Sequence, residues 1–357
     1  MNGASDQTVV NSIAGVLEKR IHEWYGESAV LDSNSFSLRR YPYSFFIGFP
    51  IKTSTGDQTL LVKIHRKPKI STLAEALTTN RLRELARNEY EMSQRIWRAF
   101  EEENSPDCQA VQYLDHLEEW NALLMREVKG KMLKEYLLHP SLVVRSPKAM
   151  EQLLSFLSSA ARWLRIFHRR ISGLQTAAFP VEEAGRWMKE VLSKLQLNSN
   201  GQVDVAPYQR ALERTLESLR ALTISIGLLH SDFHFSNILI TSEGSACVLD
   251  YSLNYRGPIY FDLATLLIDP QTRKAQILTG GWFLTSRFVQ TCQQSILDSY
   301  FRGESYSENV LNFYCALAIL NKWSADEADF AIRPGVVNSL LAQMTRRYYA
   351  ELLPQYL

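Results

Sequence analysis

Between residues 7 and 24, Val9, Val10, Ile13, Val16, Leu17, Ile21 and Trp24 recur at helical spacing, with Glu18, Lys19 and Arg20 on the opposite face. That period predicts an amphipathic helix packed on the elements that follow. From Ser35 to His65 the pattern turns strand-like. Two apolar runs, 44–51 and 59–64, flank a polar hairpin at 53–58. Lys63 falls inside the second run, where an unpaired charge would be costly to bury. Either its strand has a wet face, or it has a partner. A helix is predicted over 74–102, and it carries two candidate partners, Glu89 and Glu91. Glu89 shares a helical face with Ala86, Met92 and Ile96, the face that should meet the sheet, whereas Glu91 points to solvent. The alternative for Glu89 is an exposed ion pair of little worth. Runs at 110–114 and 122–128 add strands on either side of an acidic turn, 115–121.

After Lys129-Gly130 the pattern becomes helical, apart from a hairpin over 237–249. Ser146-Pro147 is a helix start, with a capping residue followed by proline at the first helical position. The helix it opens has a wide apolar stripe, Leu153, Phe156, Leu157, Ala160, Ala161, Leu164, Phe167 and His168, and His168 reads as a satisfied core residue. Further helices are predicted at 181–197, 207–223, from 262, and at 283–301, 307–321 and 335–352. There is no internal repeat and no low-complexity segment. The shift in pattern divides the chain at 1–128 and 129–357.

Composition narrows the class. The 357 residues, 46% apolar and 22% charged, suit a globular protein of two domains. A formal charge of +1 gives no reason to expect a nucleic acid or an anionic membrane as partner. Cys108, Cys247, Cys292 and Cys315 are scattered, which points to reduced thiols and not to a disulfide framework or a zinc site. The first residues lack the basic and apolar blocks of a signal peptide, and no apolar run approaches the ~20 residues of a membrane span. These features read as a soluble cytoplasmic protein. They do not indicate an oligomeric state.

The chemistry concentrates in 227–251, GLLHSDFHFSNILITSEGSACVLDY. His230, Asp232 and Asn237 stand in the spacing H-x-D-x-x-x-x-N, and Asp250 ends a later apolar run. Asp232 can receive the proton of an attacking hydroxyl, while Asn237 and Asp250 offer oxygen ligands to Mg²⁺, the division of labour of kinases. The hairpin should return Asp250 close to Asn237. Mg²⁺ takes one or two protein oxygens and completes its shell with phosphate and water.

With LLHSDFHFSNILI, VLDY and YFDLATLL in order, the sequence resembles the aminoglycoside phosphotransferase and choline kinase family, from about Ser35 to the C-terminal helices. The resemblance implies an α+β, bilobal protein kinase-like fold with a small antiparallel-sheet N-lobe and a larger, mostly helical C-lobe. It implies ATP and Mg²⁺ as cofactors and a small hydroxylated molecule as partner. In that light Asp232 resembles the catalytic base, and Asn237 and Asp250 the metal ligands. Lys63 looks like the phosphate-contacting lysine and Glu89 its helix partner. LLMREVKG resembles the interlobe hinge, where main-chain groups of Arg126 and Val128 would meet the adenine edge. Asp262 looks like the aspartate that supports the catalytic loop. Three departures stand out. Residues 39–44, RRYPYS, hold no glycine where a phosphate loop would be, and the triplet after the apolar run is Asp250-Tyr-Ser. Ser231 follows His230 where glycine is frequent in the family, a small change that should leave the loop undisturbed. His234 is open to either a substrate contact or loop packing.

Two rivals stay open. A protein kinase would need a peptide-docking segment, for which 250–262 is short. A nucleotide-binding pseudokinase scaffold would explain the missing glycines but not the intact Lys63, Asp232, Asn237 and Asp250. From Tyr251 onward nine acidic and nine basic residues balance, which weakens a polycationic acceptor. Aromatics there, from Trp282 through Tyr314 to Trp323, suit a sugar or glycoconjugate hydroxyl.

Overall fold

The computed structural model describes residues 3–139, 146–251, 255–332 and 335–357. The chain divides into two units, one of residues 1–105 and 109–130, the other of 106–108 and 131–357.

The first unit contains α1 (Gly3–Tyr25), β1 (Val30–Leu31), β2 (Ser37–Arg40), β3 (Ser44–Thr53), β4 (Gly56–His65), α2 (Leu73–Leu77) and α3 (Asn80–Glu103). After β5 (Cys108–Gln109), β6 (Tyr113–Leu117) and β7 (Ala122–Arg126) complete it. Six strands form an antiparallel sheet ordered β1-β3-β4-β7-β6, with β2 also on β3. Strand alternation sorts the two faces. Phe45, Ile47, Phe49 and Ile51 of β3 and Leu60, Val62 and Ile64 of β4 are fully buried in one cluster with Ile13, Leu17 and Ile21 of α1. Phe46, Leu61, Lys63 and His65 alternate with them and occupy the other face.

The structure corrects the sequence reading at several boundaries. The β3–β4 turn is only Ser54-Thr55, because the strands pair out to Thr53 and Gly56. The helix expected over 74–102 is two helices. Thr78 and Thr79 turn their hydroxyls back onto the Glu75 carbonyl, at 3.0 and 3.1 Å, and Thr79 is extended. The expected strand 110–114 starts at Tyr113 and runs on to Leu117, through half of the expected acidic turn. Asp115 is tolerated there because Arg20 of α1 pairs with it at 2.6 Å.

The second unit contains β8 (Gly130–Met132), α4 (Leu133–Leu137), α5 (Pro147–Arg170), β9 (Gln175–Ala178), α6 (Val181–Asn198), α7 (Ala206–Leu219) and β10 (Thr223–Leu228). Then follow β11 (Ile238–Thr241), β12 (Ala246–Val248), β13 (Arg256–Pro258), α8 (Tyr260–Ile268), α9 (Lys274–Leu278), α10 (Ser286–Phe301), α11 (Glu308–Ile332) and α12 (Val336–Leu352). The α5 stripe is buried along its length and packs on α10, while α11 packs on α6 and α8. The unit has more strand than its pattern suggested. β10 lies between β13 and β9 in a second sheet, and these short strands carry little apolar periodicity to betray them. α11 continues past the expected end at 321. Asp326 and Glu327 look like a solvated stop, yet both are buried, met by Tyr349 and by Arg346 and Trp323.

Candidate active site

In the first unit the face of β4 opposite α1 carries a buried charge cluster. Lys63 Nζ donates to Glu89 Oε1 and Oε2 at 2.9 and 3.2 Å, with the two side chains 5% and 6% exposed. The exposed-pair alternative for Glu89 is therefore set aside, while Glu91 is exposed. The carboxylate is held by more than the lysine. His65 Nε2 lies 2.9 Å from Oε2, and the Tyr113 hydroxyl donates to Oε1. Burial pushes the Glu89 pKa up, but the Lys63 ammonium, His65 and Tyr113 outweigh it and hold the group well below the usual carboxylate range. Sequence spacing contained the signal for His65, because residues two apart on a strand share a face. Tyr113 offered none.

In the second unit β10 feeds the loop 229–237. Glycine is needed at Gly227, where a Cβ would stand 2.4 Å from the Ser172 hydroxyl. Beneath the loop, Trp163 is fully buried and stacks with Phe167, Phe233 and Tyr251. His230 meets all four rings edge-on. Its Nδ1 accepts from the Asp232 backbone N–H at 3.4 Å, so its Nε2–H donates to the Leu249 carbonyl at 3.2 Å. Burial lowers the His230 pKa against the pull of Asp262, which keeps the ring in this neutral, structural role.

Asp232 is the opposite, its side chain 55% exposed. Asn237 Nδ2 donates to its Oδ2 at 2.8 Å and to its carbonyl at 3.0 Å. His234 Nε2 lies 3.1 Å from Oδ1, and because His234 Nδ1 accepts from the Ser236 N–H, the Nε2 proton faces Asp232. Burial acts upward on the Asp232 pKa, but His234 and Asn237 hold it below the ordinary value. His234 thus sits on the carboxylate, a placement that its sequence position left undecided. The second half of the loop is tied by Asp269, which accepts from the Phe235 N–H, and by Arg273, which bonds both Asp269 and the Ser236 hydroxyl.

Asp262, near the start of α8, is completely buried. Its carboxylate accepts from the His230 and Ser231 N–H groups at 2.7 and 2.8 Å. His168 closes the arrangement. The Tyr300 hydroxyl is hydrogen-bonded to His168 Nδ1 at 2.7 Å, and His168 Nε2 lies 3.1 Å from the Asp262 carboxylate. Ser231, at φ 68°, is held in left-handed backbone by this carboxylate.

The hairpin places the two expected metal ligands at its open end, one residue out of register. Ile238 pairs with Val248, and the Leu249 N–H donates to the Asn237 carbonyl at 2.8 Å, so Asp250 is one residue beyond Asn237's cross-strand neighbour. Asp250 also has left-handed backbone, φ 57°. With its amide nitrogen on Asp232, Asn237 has its Oδ1 at the other end. One amide oxygen and one carboxylate, both hard donors, fit Mg²⁺. Ser252, the third residue of the Asp250 triplet, lies outside the described residues. At the expected hinge the Arg126 N–H donates to the Gln112 carbonyl and the Glu127 N–H to Thr59, and Val128 follows outside the strand.

The second unit also holds a cavity of about 380 Å³ whose wall includes Leu229, three residues before Asp232. Trp187, Tyr255, Phe261 and Tyr314 supply aromatic surface, and Trp187 stacks on Tyr314. Glu183, Glu190 and Arg186 supply charge, with Glu183 accepting from the Tyr255 hydroxyl. Of the late aromatics expected to wall an acceptor site, Tyr314 lines this cavity, whereas Phe313 and Trp323 are core.

A model of the phosphotransferase enzyme family, APH, matches residues 51–287. The chain belongs to this family. As a member of the phosphotransferase family it is a small-molecule kinase, and its fold is kinase-like. Among solved structures it is similar to a glucosamine kinase in complex with glucosamine, ADP and inorganic phosphate, at 14% identity over 92% of this chain and 82% of that one, TM-score 0.57. It is also similar to a putative aminoglycoside phosphotransferase from Ralstonia eutropha JMP134, at 14% identity over 97% of each chain, TM-score 0.55. A Plasmodium vivax ethanolamine kinase gives 11% identity over 97% of this chain and 89% of that one, TM-score 0.52. At these identities the likeness is one of fold. No curated protein matches the sequence. No helix among the described residues is long and apolar enough to cross a membrane.

Proposed function

We propose that this family member transfers the γ-phosphoryl group of ATP to a hydroxyl of a sugar-sized acceptor. Asp232 is the base. His234 and Asn237 keep it ionised and fix both of its oxygens, so that it can orient the acceptor hydroxyl and take its proton. Asn237 and Asp250 would hold Mg²⁺, which when bound neutralises charge on the phosphate oxygens. Lys63, fixed by Glu89, would neutralise the α- and β-phosphates. The main-chain groups of Arg126 and Val128 would receive adenine. Because the transition state of phosphoryl transfer is loose, positioning and charge of this kind are most of what the protein must supply.

The observation that carries the acceptor reading is the cavity beside Leu229. Its volume, about 380 Å³, lies within the range of small-molecule sites, and its aromatic faces suit the C–H faces of a sugar ring. Glu183 and Glu190 can accept from hydroxyl groups and favour an acceptor that carries an amine. The test is ADP release from Mg²⁺·ATP across neutral sugars, amino sugars, aminoglycosides and amino alcohols, repeated with Trp187→Ala. Turnover with a sugar, and a KM for that sugar raised at least tenfold in the variant, is expected. Turnover confined to amino alcohols or aminoglycosides, or a sugar KM untouched by the variant, would overturn the acceptor reading.

A further inference from the structure

Among the described residues α1 is clamped by side chains toward both of its ends, and one of these clamps reaches the hinge residue Arg126. At its N-terminal end, Asp6 accepts from the Leu73 N–H at 2.8 Å and from Arg40 at 2.7 Å. Near its C-terminal end, Arg20 pairs with Asp115 of β6. The last clamp comes from Arg126, the final residue of β7. Its Nη2 donates to the Trp24 carbonyl at 2.6 Å, and its guanidinium carbon stands 4.6 Å from the centre of the Tyr25 ring. A cation on the last carbonyls of a helix is favourably placed against both the unsatisfied acceptors and the helix dipole. Burial raises the Tyr25 pKa to about 12 although Arg126 opposes it, so the ring stays neutral and the contact is a cation over an aromatic face.

The main chain of the same residue is pinned from two sides. The Arg126 N–H donates to Gln112, and the next N–H, of Glu127, donates to Thr59. Side chain and backbone together fix where β7 stops. On the proposed reading, the Arg126 carbonyl and Val128 N–H just there receive the adenine edge.

We propose that Arg126 is a positioning residue through which α1 sets the geometry of the adenine-contacting backbone. The proposal rests on the hinge reading of residues 126–128. The helix is then a working part of the nucleotide site and not merely a cover for the sheet. Its influence falls on the base and not on the phosphates, which Lys63 addresses from another strand.

The experiment measures Kd for ATP and for inorganic tripolyphosphate on the wild type, Arg126→Ala, Arg126→Lys and Arg20→Ala, with thermal unfolding of each. Arg126→Ala should weaken ATP binding about tenfold, the scale of one lost charge-assisted hydrogen bond, and leave tripolyphosphate binding unchanged. Arg126→Lys keeps the charge without the planar fork and should fall between wild type and alanine. Arg20→Ala breaks a clamp on the same helix away from β7. It should lower the unfolding midpoint without changing ATP affinity. Equal weakening of ATP and tripolyphosphate in Arg126→Ala would mean general loosening and overturn the proposal. So would a loss of ATP affinity in Arg20→Ala as large as in Arg126→Ala. The hinge reading is tested separately with N6,N6-dimethyl-ATP on the wild type, which cannot donate to the Arg126 carbonyl. If it binds more weakly than ATP while Arg126→Ala leaves ATP affinity intact, the hinge reading stands and the positioning role fails. If it binds as well as ATP, the hinge reading fails and the positioning role falls with it.

Discussion

The chain builds two carboxylates that both stay ionised, and it builds them by opposite means. Glu89 is buried and held by Lys63, His65 and Tyr113, so its charge is maintained by direct neighbours in a dry setting. Asp232 is half open to solvent and is steadied by one amide and one imidazole. On the proposed reading the difference follows from what each would do. A group that only anchors a lysine can be surrounded completely. A group that must receive a proton needs an accessible oxygen, so its order has to come from the loop beneath it. That order is supplied by the aromatic floor under His230 and by Asp262, which takes two backbone N–H groups of the loop.

The comparison implies different failures when each is disturbed. The largest is chemical. Asp232→Asn should lower kcat by about 10²–10⁴-fold, the usual worth of a positioned base, while ATP still shifts the unfolding midpoint. A loss under tenfold would remove Asp232 from the base role. Next is stability. Glu89→Gln deprives a buried ammonium of its carboxylate and should cost about 3–5 kcal/mol in denaturant unfolding. Lys63→Met should cost clearly less, since Glu89 keeps His65 and Tyr113. Equal costs would show that those two residues contribute nothing.

Acid should separate the same variants. The folded-state pKa of Glu89 is depressed, so its contribution is present above the unfolded value, about 4.3, and is lost as pH falls below it. Wild-type stability should therefore drop below that pH more steeply than that of Glu89→Gln. A smaller effect is expected for Tyr113→Phe, about 1.5–3 kcal/mol for a hydrogen bond to a charged acceptor. The smallest is a shift in a pH profile. Removing His234 as His234→Gln takes away the strongest influence that lowers Asp232. The acid limb of kcat/KM should then move to higher pH, because the base is protonated sooner as pH falls. A limb that does not move would assign His234 to packing alone.

Much of this was legible in the sequence because it was local. The spacing of His230, Asp232 and Asn237 and the hairpin that brings round Asp250 lie in one stretch, and Glu89 was selected over Glu91 by helical phase alone. What the sequence hid depends on tertiary partners. Asp115 sits in a strand because Arg20 neutralises it, and Asp326 and Glu327 stay helical because α12 supplies Tyr349 and Arg346. β9, β10 and β13 are strands by virtue of each other. The cavity draws Trp187, Tyr255, Phe261 and Tyr314 from four separate segments, so no single window of sequence could show it.

The most direct test of the phosphotransferase reading is ADP release from ATP with wild type and Asp232→Asn side by side, with and without Mg²⁺ and a sugar. Turnover that needs both metal and sugar, and that nearly vanishes in the variant while ATP binding persists, is the expected result. ATP binding without turnover of any hydroxylated acceptor would contradict it and leave a nucleotide-binding scaffold.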